Sequence, residues 1–214
     1  MADRWVTFDC YGTLIDWDGG IRGALTRVFG DDALLARYHE LERDLQRERP
    51  AAPYREVMTE AMIRLGASEE DAPALADSLP SWEAFSEVRD ALADVRGRGW
   101  RLAILSNSDP PQIEASKAKL GVPFEETIVA GDIGSYKPAL RHWDEFWSRT
   151  GAVRGRWVHV GASLFHDIAP ARELSLQSVW INRLGEQARA GIRPSRELPS
   201  LAGLADTLDE LVPS

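Results

Sequence analysis

Five short runs of apolar and β-branched residues recur along this chain, and each run is continuous rather than alternating with polar residues. The runs are 5–8, 101–106, 127–130, 157–160 and 178–181. Strands of a parallel sheet are buried on both faces and have this continuous pattern. The segments between the runs have helical periodicity; Val88, Leu92 and Val95, for example, share one face of a predicted helix. This alternation predicts an α/β fold with a doubly wound, mostly parallel sheet.

The interval between the first two runs is far longer than one crossover helix needs. It predicts several helices: one after Asp32, a second after Pro53, and a shorter third between residues 68 and 79. We interpret residues 16–83 as a helical cap inserted after the first strand. Residues 1–15 and 84–214 then form the α/β core.

Two connecting segments have a distinctive composition. Pro80-Ser81-Trp82 is expected to be the hinge through which the chain returns from the cap to the core. The polar, Arg-rich segment 186–199 is expected to be extended and exposed. A last helix is predicted over residues 200–211.

The composition is that of an ordinary globular protein, and it limits the classes of partner. The 214 residues carry a net charge of -9 and contain one cysteine, Cys10. An acidic chain gives no support for binding to nucleic acid or to an anionic membrane surface. One cysteine excludes an intrachain disulfide. The sequence opens without a secretion signal and has no apolar run of transmembrane length, so a cytoplasmic location is expected.

Polar side chains follow the predicted strands at the points where the strands end. In chain order they are Asp9, Ser106 with Asn107, Lys137, and Ser163, His166 and Asp167 in one loop. In an open α/β sheet, ligands bind outside the carboxyl ends of the strands. Two carboxylates, one ammonium group and small hydroxyls at one edge predict a site that binds an anion. A carboxylate in such a site can act as a covalent nucleophile.

Four motifs at these strand ends occur in a specific order. They are Asp9-Cys10-Tyr11-Gly12-Thr13, Leu105-Ser106-Asn107, Tyr136-Lys137-Pro138, and the stretch from His159 to Asp167. Their order and spacing resemble the haloacid dehalogenase superfamily over nearly the whole chain, and the predicted cap lies where that superfamily inserts its helical type. The resemblance implies a Rossmann-like core in which Asp9 is the nucleophile, Ser106 binds the anionic group and Lys137 neutralises charge. Asp167 matches the acidic position of the fourth motif.

Two positions depart from the phosphatases of that superfamily. Phosphatases have an Asp two residues after the nucleophile to protonate the leaving alkoxide, and Tyr11 stands there in this chain. Loss of that acid costs on the order of 10²-fold in rate, whereas a halide is a weak base and leaves without a proton. Ala162 stands where phosphatases commonly carry an Asp that helps to hold Mg²⁺, a cation that needs several oxygen ligands. Both departures favour a metal-free displacement on carbon.

Within the superfamily, Tyr11 and the Ser106-Asn107 pair resemble the (S)-2-haloacid dehalogenases. That resemblance implies that Asp9 displaces the halide from a small anionic 2-haloacid and forms an aspartyl ester. Water then attacks the ester and releases a 2-hydroxy acid. No metal or organic cofactor is expected, and a homodimer is implied by the resemblance alone.

The other motif residues receive roles from the same resemblance. Asp167 is expected to activate or position the water, helped by Lys137. Ser163 or His166 is a further candidate to assist it. The complete set expected to bind substrate is Tyr11, Thr13, Ser106, Asn107, Ser163 and His166.

The halide-binding arginine of the family is the one correspondence that fails. The family places it early in the cap, at an offset from the nucleophile that falls on Glu40 in this chain. The nearby alternatives are Arg43, Arg47, Arg49, Arg55, Trp17 and Tyr54. The sequence leaves the choice among them open.

Two other functions also remain open. One is a Mg²⁺-dependent phosphatase or phosphonate hydrolase that lacks the usual acid. The other is a non-catalytic protein that kept the fold and lost the reaction. Against the second, Asp9, Ser106, Lys137 and Asp167 are all present.

Overall fold

The computed structural model describes residues 3–188 and 191–213, and its centre is a six-stranded sheet. The strands are β1 (Arg4–Phe8), β2 (Trp100–Ser106), β3 (Glu126–Val129), β4 (Trp157–Gly161), β5 (Gln177–Ile181) and β6 (Arg196–Leu198). They all run parallel, in the order β3-β2-β1-β4-β5-β6. The predicted α/β class is therefore confirmed. The five predicted strands lie within one residue of the observed ends.

The sixth strand has no counterpart among the predictions. β6 lies inside the segment 186–199, for which the sequence predicts only an extended surface segment; residues 189–190 of that segment lie outside the described residues. It extends the sheet beside β5, with Ile181 opposite Leu198. Its sequence is short and mostly polar, so it lacks the apolar run that marks the other strands.

The sheet grows in opposite directions from β1. β2 and β3 lie on one side of it, and β4, β5 and β6 lie on the other. Phe8, the last residue of β1, is in register with Ile104 of β2 and Val160 of β4. Because the strands are parallel, the loops that follow β1, β2 and β4 meet at one edge. A reversal of strand order is where open α/β sheets bind ligands.

Helices connect the strands and cover the sheet. They are α1 (Trp17–Phe29), α2 (Leu35–Glu48), α3 (Tyr54–Leu65), α4 (Ala74–Ser78), α5 (Val88–Gly97), α6 (Pro110–Leu120), α7 (Ala130–Ile133), α8 (Arg141–Thr150), α9 (Ala169–Glu173) and α10 (Leu204–Leu211). Within the described ranges, none of them combines the length and apolar character that a membrane crossing requires.

The interval predicted to be a cap contains helices α1 to α4. Three of them correspond to the predicted helices, but α1 has no predicted counterpart. Gly19, Gly20 and Gly23 weaken the helical pattern of this segment, while the Asp16 side chain caps the helix by accepting from the backbone N–H of Gly19 at 3.0 Å. The division at residues 16 and 83 stays a prediction, because buried side chains of this interval and of the core form one continuous hydrophobic cluster.

The chain leaves and re-enters the core through two paired segments. The backbone N–H of Asp16 donates to the Glu83 carbonyl at 2.9 Å, and that of Phe85 donates to the Leu14 carbonyl at 3.1 Å. Trp82, at the end of the predicted hinge, is buried immediately before this pairing. The two connecting segments are therefore hydrogen-bonded to each other beside the end of β1.

Two glycines of α1 provide a matched test of how this helix packs on Trp82. A Cβ at Gly20 would lie 2.2 Å from the Trp82 ring, whereas a Cβ at Gly23 would have no neighbour within 4 Å. Gly20→Ala should therefore lower the free energy of unfolding by about 1–3 kcal/mol through overpacking. Gly23→Ala should raise it by about 0.5–1 kcal/mol because alanine favours the helix. Urea denaturation measures both, and equal effects would contradict the packing.

Candidate active site

Three charged side chains from distant parts of the sequence form one buried ion cluster at the carboxyl edge of the sheet. The Lys137 ammonium Nζ lies 2.8 Å from Asp9 Oδ1 and 2.7 Å from Asp167 Oδ1. It also donates to the Leu105 carbonyl at 2.8 Å. The side chains of Lys137 and Asp167 are each 1% exposed, against 12% for Asp9. The three residues predicted to be catalytic are thus in contact, and Asp9 is the most accessible of them.

Burial and pairing act differently on the two carboxyl groups. Burial raises the pKa of Asp9, with a further rise from Asp167, although Lys137 opposes both. Burial also disfavours ionised Asp167, but Lys137 and then His159 hold its pKa well below the usual range. Burial disfavours the Lys137 ammonium, yet the two carboxylates raise its pKa above the ordinary value. Asp9 is therefore the carboxylate whose charge is stabilised less, as suits a nucleophile.

Thr13 holds the second oxygen of Asp9. The Thr13 hydroxyl Oγ1 donates to Asp9 Oδ2 at 2.7 Å and accepts from the backbone N–H of Ala162 at 2.9 Å. The Thr13 side chain is fully buried. A hydroxyl has one proton, and this one is used by Asp9. The geometry thus favours orientation of the Asp9 carboxylate by Thr13 over the expected contact with substrate.

Ser106 and Asn107 have different partners. The Asn107 side chain accepts from the backbone N–H of Lys137 at 2.6 Å and donates to the Lys137 carbonyl at 3.1 Å. Both ends of its amide therefore bind the backbone that carries the ammonium. The buried Ser106 hydroxyl accepts from Ser108 at 3.0 Å and keeps its own proton to donate. Asn107 positions Lys137, and Ser106 retains a donor for an anion.

Tyr11 stands where a proton-donating acid would be placed for an alkoxide leaving group. Its hydroxyl lies 2.9 Å from the Ser116 hydroxyl on α6, and its ring packs edge-on against Trp82. Burial raises the pKa of Tyr11 well above its ordinary value. The phenol is thus a weak acid whose hydroxyl already has a hydrogen-bond partner.

The loop after β4 folds back on Asp167. A Cβ at Gly161 would lie 2.5 Å from the Asp167 side chain, so this approach requires glycine. The backbone N–H of Ser163 donates to Asp167 Oδ2 at 3.0 Å. The Ser163 hydroxyl accepts from the backbone N–H of His166 at 3.0 Å and lies 3.2 Å from its Nδ1. Burial lowers the pKa of His166 to about 4, so its imidazole is neutral at pH 7.

His159 lies behind Asp167 and is absent from the predicted site. Its Nε2 is 3.5 Å from Asp167 Oδ1, and its Nδ1 is 2.9 Å from the Thr7 hydroxyl, which accepts from the Trp157 indole at 2.9 Å. Burial lowers the pKa of His159, so its imidazole lies beside Asp167 in the neutral form. The signal in the sequence was a polar residue within each of two apolar strands, Thr7 and His159, which the sheet register places side by side.

Two sets of contacts join the start of α3 to the loops of the candidate site. The two oxygens of the Asp109 carboxylate accept from the backbone N–H groups of Tyr54 and Arg55, each at 3.0 Å. The Tyr136 hydroxyl donates to the Ala52 carbonyl at 2.6 Å. Asp109 follows β2 and Tyr136 precedes Lys137, so the predicted cap rests directly on the candidate site.

Most cap residues considered for a halide already have partners. Three arginines form ion pairs with carboxylates: Arg47 with Asp44, Arg49 with Glu56, and Arg55 with Asp77. The Trp17 indole donates to the Tyr54 hydroxyl at 3.4 Å, and that hydroxyl donates to Glu42 at 2.5 Å. Glu40 is exposed and pairs with Arg37 at 2.8 Å.

Arg43 differs from the other candidates. It is exposed, and among the described residues it pairs with no carboxylate. Burial lowers the pKa of His166, Asp167 opposes this, and the charges of Lys137 and then Arg43 lower it further. The charge of Arg43 therefore makes a small contribution at the loop that carries Asp167.

The donor set at this edge does not fit Mg²⁺. Within residues 3–188 and 191–213, no group of three His, Cys, Asp or Glu side chains is placed to hold a metal ion. Asp9 and Asp167 are both bound to Lys137, and Ala162 supplies no side-chain ligand. Mg²⁺ requires near-octahedral oxygen coordination.

The chain is similar in sequence and in fold to known proteins. The family model described as haloacid dehalogenase-like hydrolase matches residues 4–174. The (S)-2-haloacid dehalogenase of Pseudomonas sp. (strain YL) is 26% identical, with 96% of this chain and 94% of that protein covered. The (S)-2-haloacid dehalogenase 2 of Pseudomonas sp. (strain CBS-3) is 28% identical, with 94% and 96% covered. In fold, the chain is similar to L-2-haloacid dehalogenase from Xanthobacter autotrophicus, with a TM-score of 0.85, 18% identity, and 96% and 98% covered.

The buried carboxyl group of Glu42 leads us to expect that the free energy of unfolding falls as the pH rises. Burial raises the pKa of Glu42 from 4.5 to about 7, so ionisation above the unfolded pKa costs folding energy. Between pH 4 and pH 8 the loss should approach about 3 kcal/mol. Glu42→Gln should remove this loss and be more stable than the native chain at pH 8 but not at pH 4. Urea denaturation at both pH values measures it, with the exposed Glu40→Gln as the control. An unchanged pH dependence in Glu42→Gln would contradict the assignment.

Proposed function

This chain belongs to the haloacid dehalogenase-like hydrolase family, and we propose that it hydrolyses small 2-haloacids to 2-hydroxy acids. The curated relatives named (S)-2-haloacid dehalogenase support the substrate class. The proposed reaction uses no metal or organic cofactor. A cytoplasmic location remains a prediction from the sequence, and a homodimer remains a prediction from the resemblance.

The observation that carries the proposal is Tyr11 at the position of the missing acid. Its pKa is raised by burial, and its hydroxyl is bonded to Ser116. Such a site gives little proton-transfer assistance to an alkoxide, which leaves poorly without a proton. A halide ion leaves with its electron pair and needs no proton. The site therefore suits displacement of halide better than transfer of a phosphoryl group.

Asp9 is the proposed nucleophile of the first step. Lys137 holds Oδ1 and Thr13 holds Oδ2, so the carboxylate is fixed before substrate arrives. One Asp9 oxygen forms a bond to the halogen-bearing carbon from the side opposite the halogen. The carbon–halogen bond breaks, halide departs, and an aspartyl ester remains.

Water opens the ester in the second step. It attacks the ester carbonyl carbon of Asp9, and the ester C–O bond breaks to release the 2-hydroxy acid. The Lys137 ammonium stabilises the oxyanion that forms on the carbonyl oxygen. Asp167 has a strongly lowered pKa and is proposed to fix Lys137 and orient water rather than to take its proton. Neutral His166, in the adjacent loop, is the proposed acceptor of the proton from water, and it returns that proton to the alkoxide oxygen of the 2-hydroxy acid as the ester bond breaks.

The substrate carboxylate is proposed to bind beside Asp9. The Ser106 hydroxyl keeps a proton to donate, and within the described part of the chain the backbone N–H of Tyr11 donates to no protein acceptor. These two donors lie at the ends of β2 and β1. Thr13 binds Asp9 instead, and Asn107 binds Lys137. We therefore leave these two residues out of the proposed substrate-binding set.

Arg43 is proposed to hold the departing halide. Of the six candidates it is the one with an unpaired cationic group among the described residues, and its charge acts on His166. It takes the place of the arginine that the family has earlier in the cap. A cation near the leaving group stabilises the charge that develops there.

Halide release from a small panel of acids tests the function. We expect release from chloroacetate, fluoroacetate or one enantiomer of 2-chloropropionate, unchanged by EDTA and lost in Asp9→Asn. With enzyme in excess over substrate in ¹⁸O-labelled water, the label should enter Asp9 and not the product of the first turnover. Abolition of turnover by EDTA would support the phosphatase or phosphonate hydrolase instead. Release of no halide from any acid would overturn the proposal.

Arg43→Gln is expected to lower kcat/KM for halide release by about 10-fold or more, because the halide loses its cation. Arg47→Gln provides the matched control. Arg47 lies one turn further along α2 and pairs with Asp44 at 3.0 Å, so its loss should change kcat/KM by less than about twofold. Equal kinetics in the two variants would exclude Arg43 as the halide ligand.

A further inference from the structure

Arg183, just after β5, contacts three residues in two segments at the base of the candidate site. Its guanidinium Nη2 donates to the Thr13 carbonyl at 2.8 Å and lies 2.8 Å from Glu87 Oε1. The guanidinium carbon lies 3.6 Å from the centre of the Phe85 ring. The Arg183 side chain is 15% exposed. No motif in the sequence analysis includes Arg183.

These contacts join the two segments that connect the core with the interval 16–83. Thr13 belongs to the outgoing segment, and Phe85 and Glu87 belong to the returning one. The backbone of Phe85 is also bonded to Leu14 at 3.1 Å. Arg183 therefore holds the outgoing and returning segments together and fixes both to the end of β5.

A short chain of contacts leads from Arg183 to the nucleophile. Arg183 binds the backbone carbonyl of Thr13, and the hydroxyl of the same residue donates to Asp9 Oδ2 at 2.7 Å. That hydroxyl is also held by the backbone of Ala162 at 2.9 Å. If the Thr13 backbone shifts, its hydroxyl cannot keep both bonds. The orientation of the Asp9 carboxylate thus depends on a residue that does not touch it.

We infer that Arg183 is a positioning residue that fixes the attacking carboxylate of Asp9 through Thr13. The inference rests on the proposed function, in which Asp9 is the nucleophile. A cation suits this place because one nitrogen must donate to a carbonyl and pair with a carboxylate while its planar group packs on an aromatic ring. Misplacement of a nucleophile by about 1 Å costs on the order of 100-fold in rate.

Arg183→Met should lower kcat about 10- to 100-fold and leave KM within about twofold, because substrate binding groups are unchanged. Arg183→Lys should recover part of kcat, because an ammonium can still donate to the Thr13 carbonyl. Arg154→Met is the control: Arg154 donates to the Leu174 carbonyl at 3.0 Å and lies over Trp147, before the start of β4. Its kcat should be unchanged. A parallel fall in Arg154→Met, or a rise in KM alone in Arg183→Met, would overturn the inference.

A double-mutant cycle with Thr13→Val tests the route. If Arg183 acts through Thr13, the losses in kcat should be non-additive, and Arg183→Met should have little effect in the Thr13→Val background. Additive losses would show that Arg183 acts by another route and would overturn the inference. Urea denaturation of all variants ensures that the folded fraction is the same in each assay.

Titration of Asp9 in the protein without substrate separates this inference from the proposed function. The Thr13 hydroxyl bond lowers the pKa of Asp9, so its loss should raise the Asp9 titration midpoint. We expect Arg183→Met and Thr13→Val to raise this midpoint in ¹³C NMR of labelled aspartate, with the Asp9 signal assigned from Asp9→Asn. An unchanged midpoint in Arg183→Met would overturn the role of Arg183. Absence of haloacid turnover in the native chain would overturn the proposed function alone.

Discussion

The ammonium group of Lys137 between two buried carboxylates is the interaction on which the rest of the site depends. Each of these ions costs several kcal/mol to remove from water, and only close pairing with full hydrogen bonding offsets that cost. The contacts of Lys137 with Asp9, Asp167 and the Leu105 carbonyl satisfy the three protons of the ammonium. Removal of one partner would leave an uncompensated charge in the interior. The loops that carry these groups are therefore held in one arrangement.

The residues around this ion cluster bind or make room for its three side chains. Asn107 binds both backbone polar groups of Lys137, Thr13 binds Asp9, and Gly161 leaves room for Asp167. The cluster contains two carboxyl groups and one ammonium, so at full ionisation it has a net negative charge. The proposed anionic substrate then requires positive compensation from elsewhere, which is the proposed role of Arg43 and the donors near Ser106.

The sequence predicted the parts of the site that have a chemical signature. Asp9, Lys137 and Asp167 follow strands in a motif order, and they are in contact in the structure. The predictions were weaker for residues and elements that have no such signature in the sequence. Helix α1 was not predicted because its glycines weaken the helical pattern. Strand β6 was not predicted because it has no apolar run. His159 and Arg183 lie behind the site, where only the sheet register and the hinge pairing bring them close.

The sequence by itself determined the α/β class and the parallel strands, because apolar periodicity is a local property, and its strand-end motifs predicted Asp9 as the nucleophile through a family resemblance. Tertiary structure decided which groups each polar side chain holds. Thr13 and Asn107 are directed to Asp9 and Lys137, and Glu40 to Arg37 at the surface. Such assignments depend on which hydrogen-bond partners lie within about 3 Å. That distance is fixed by the packing of segments far apart in the chain.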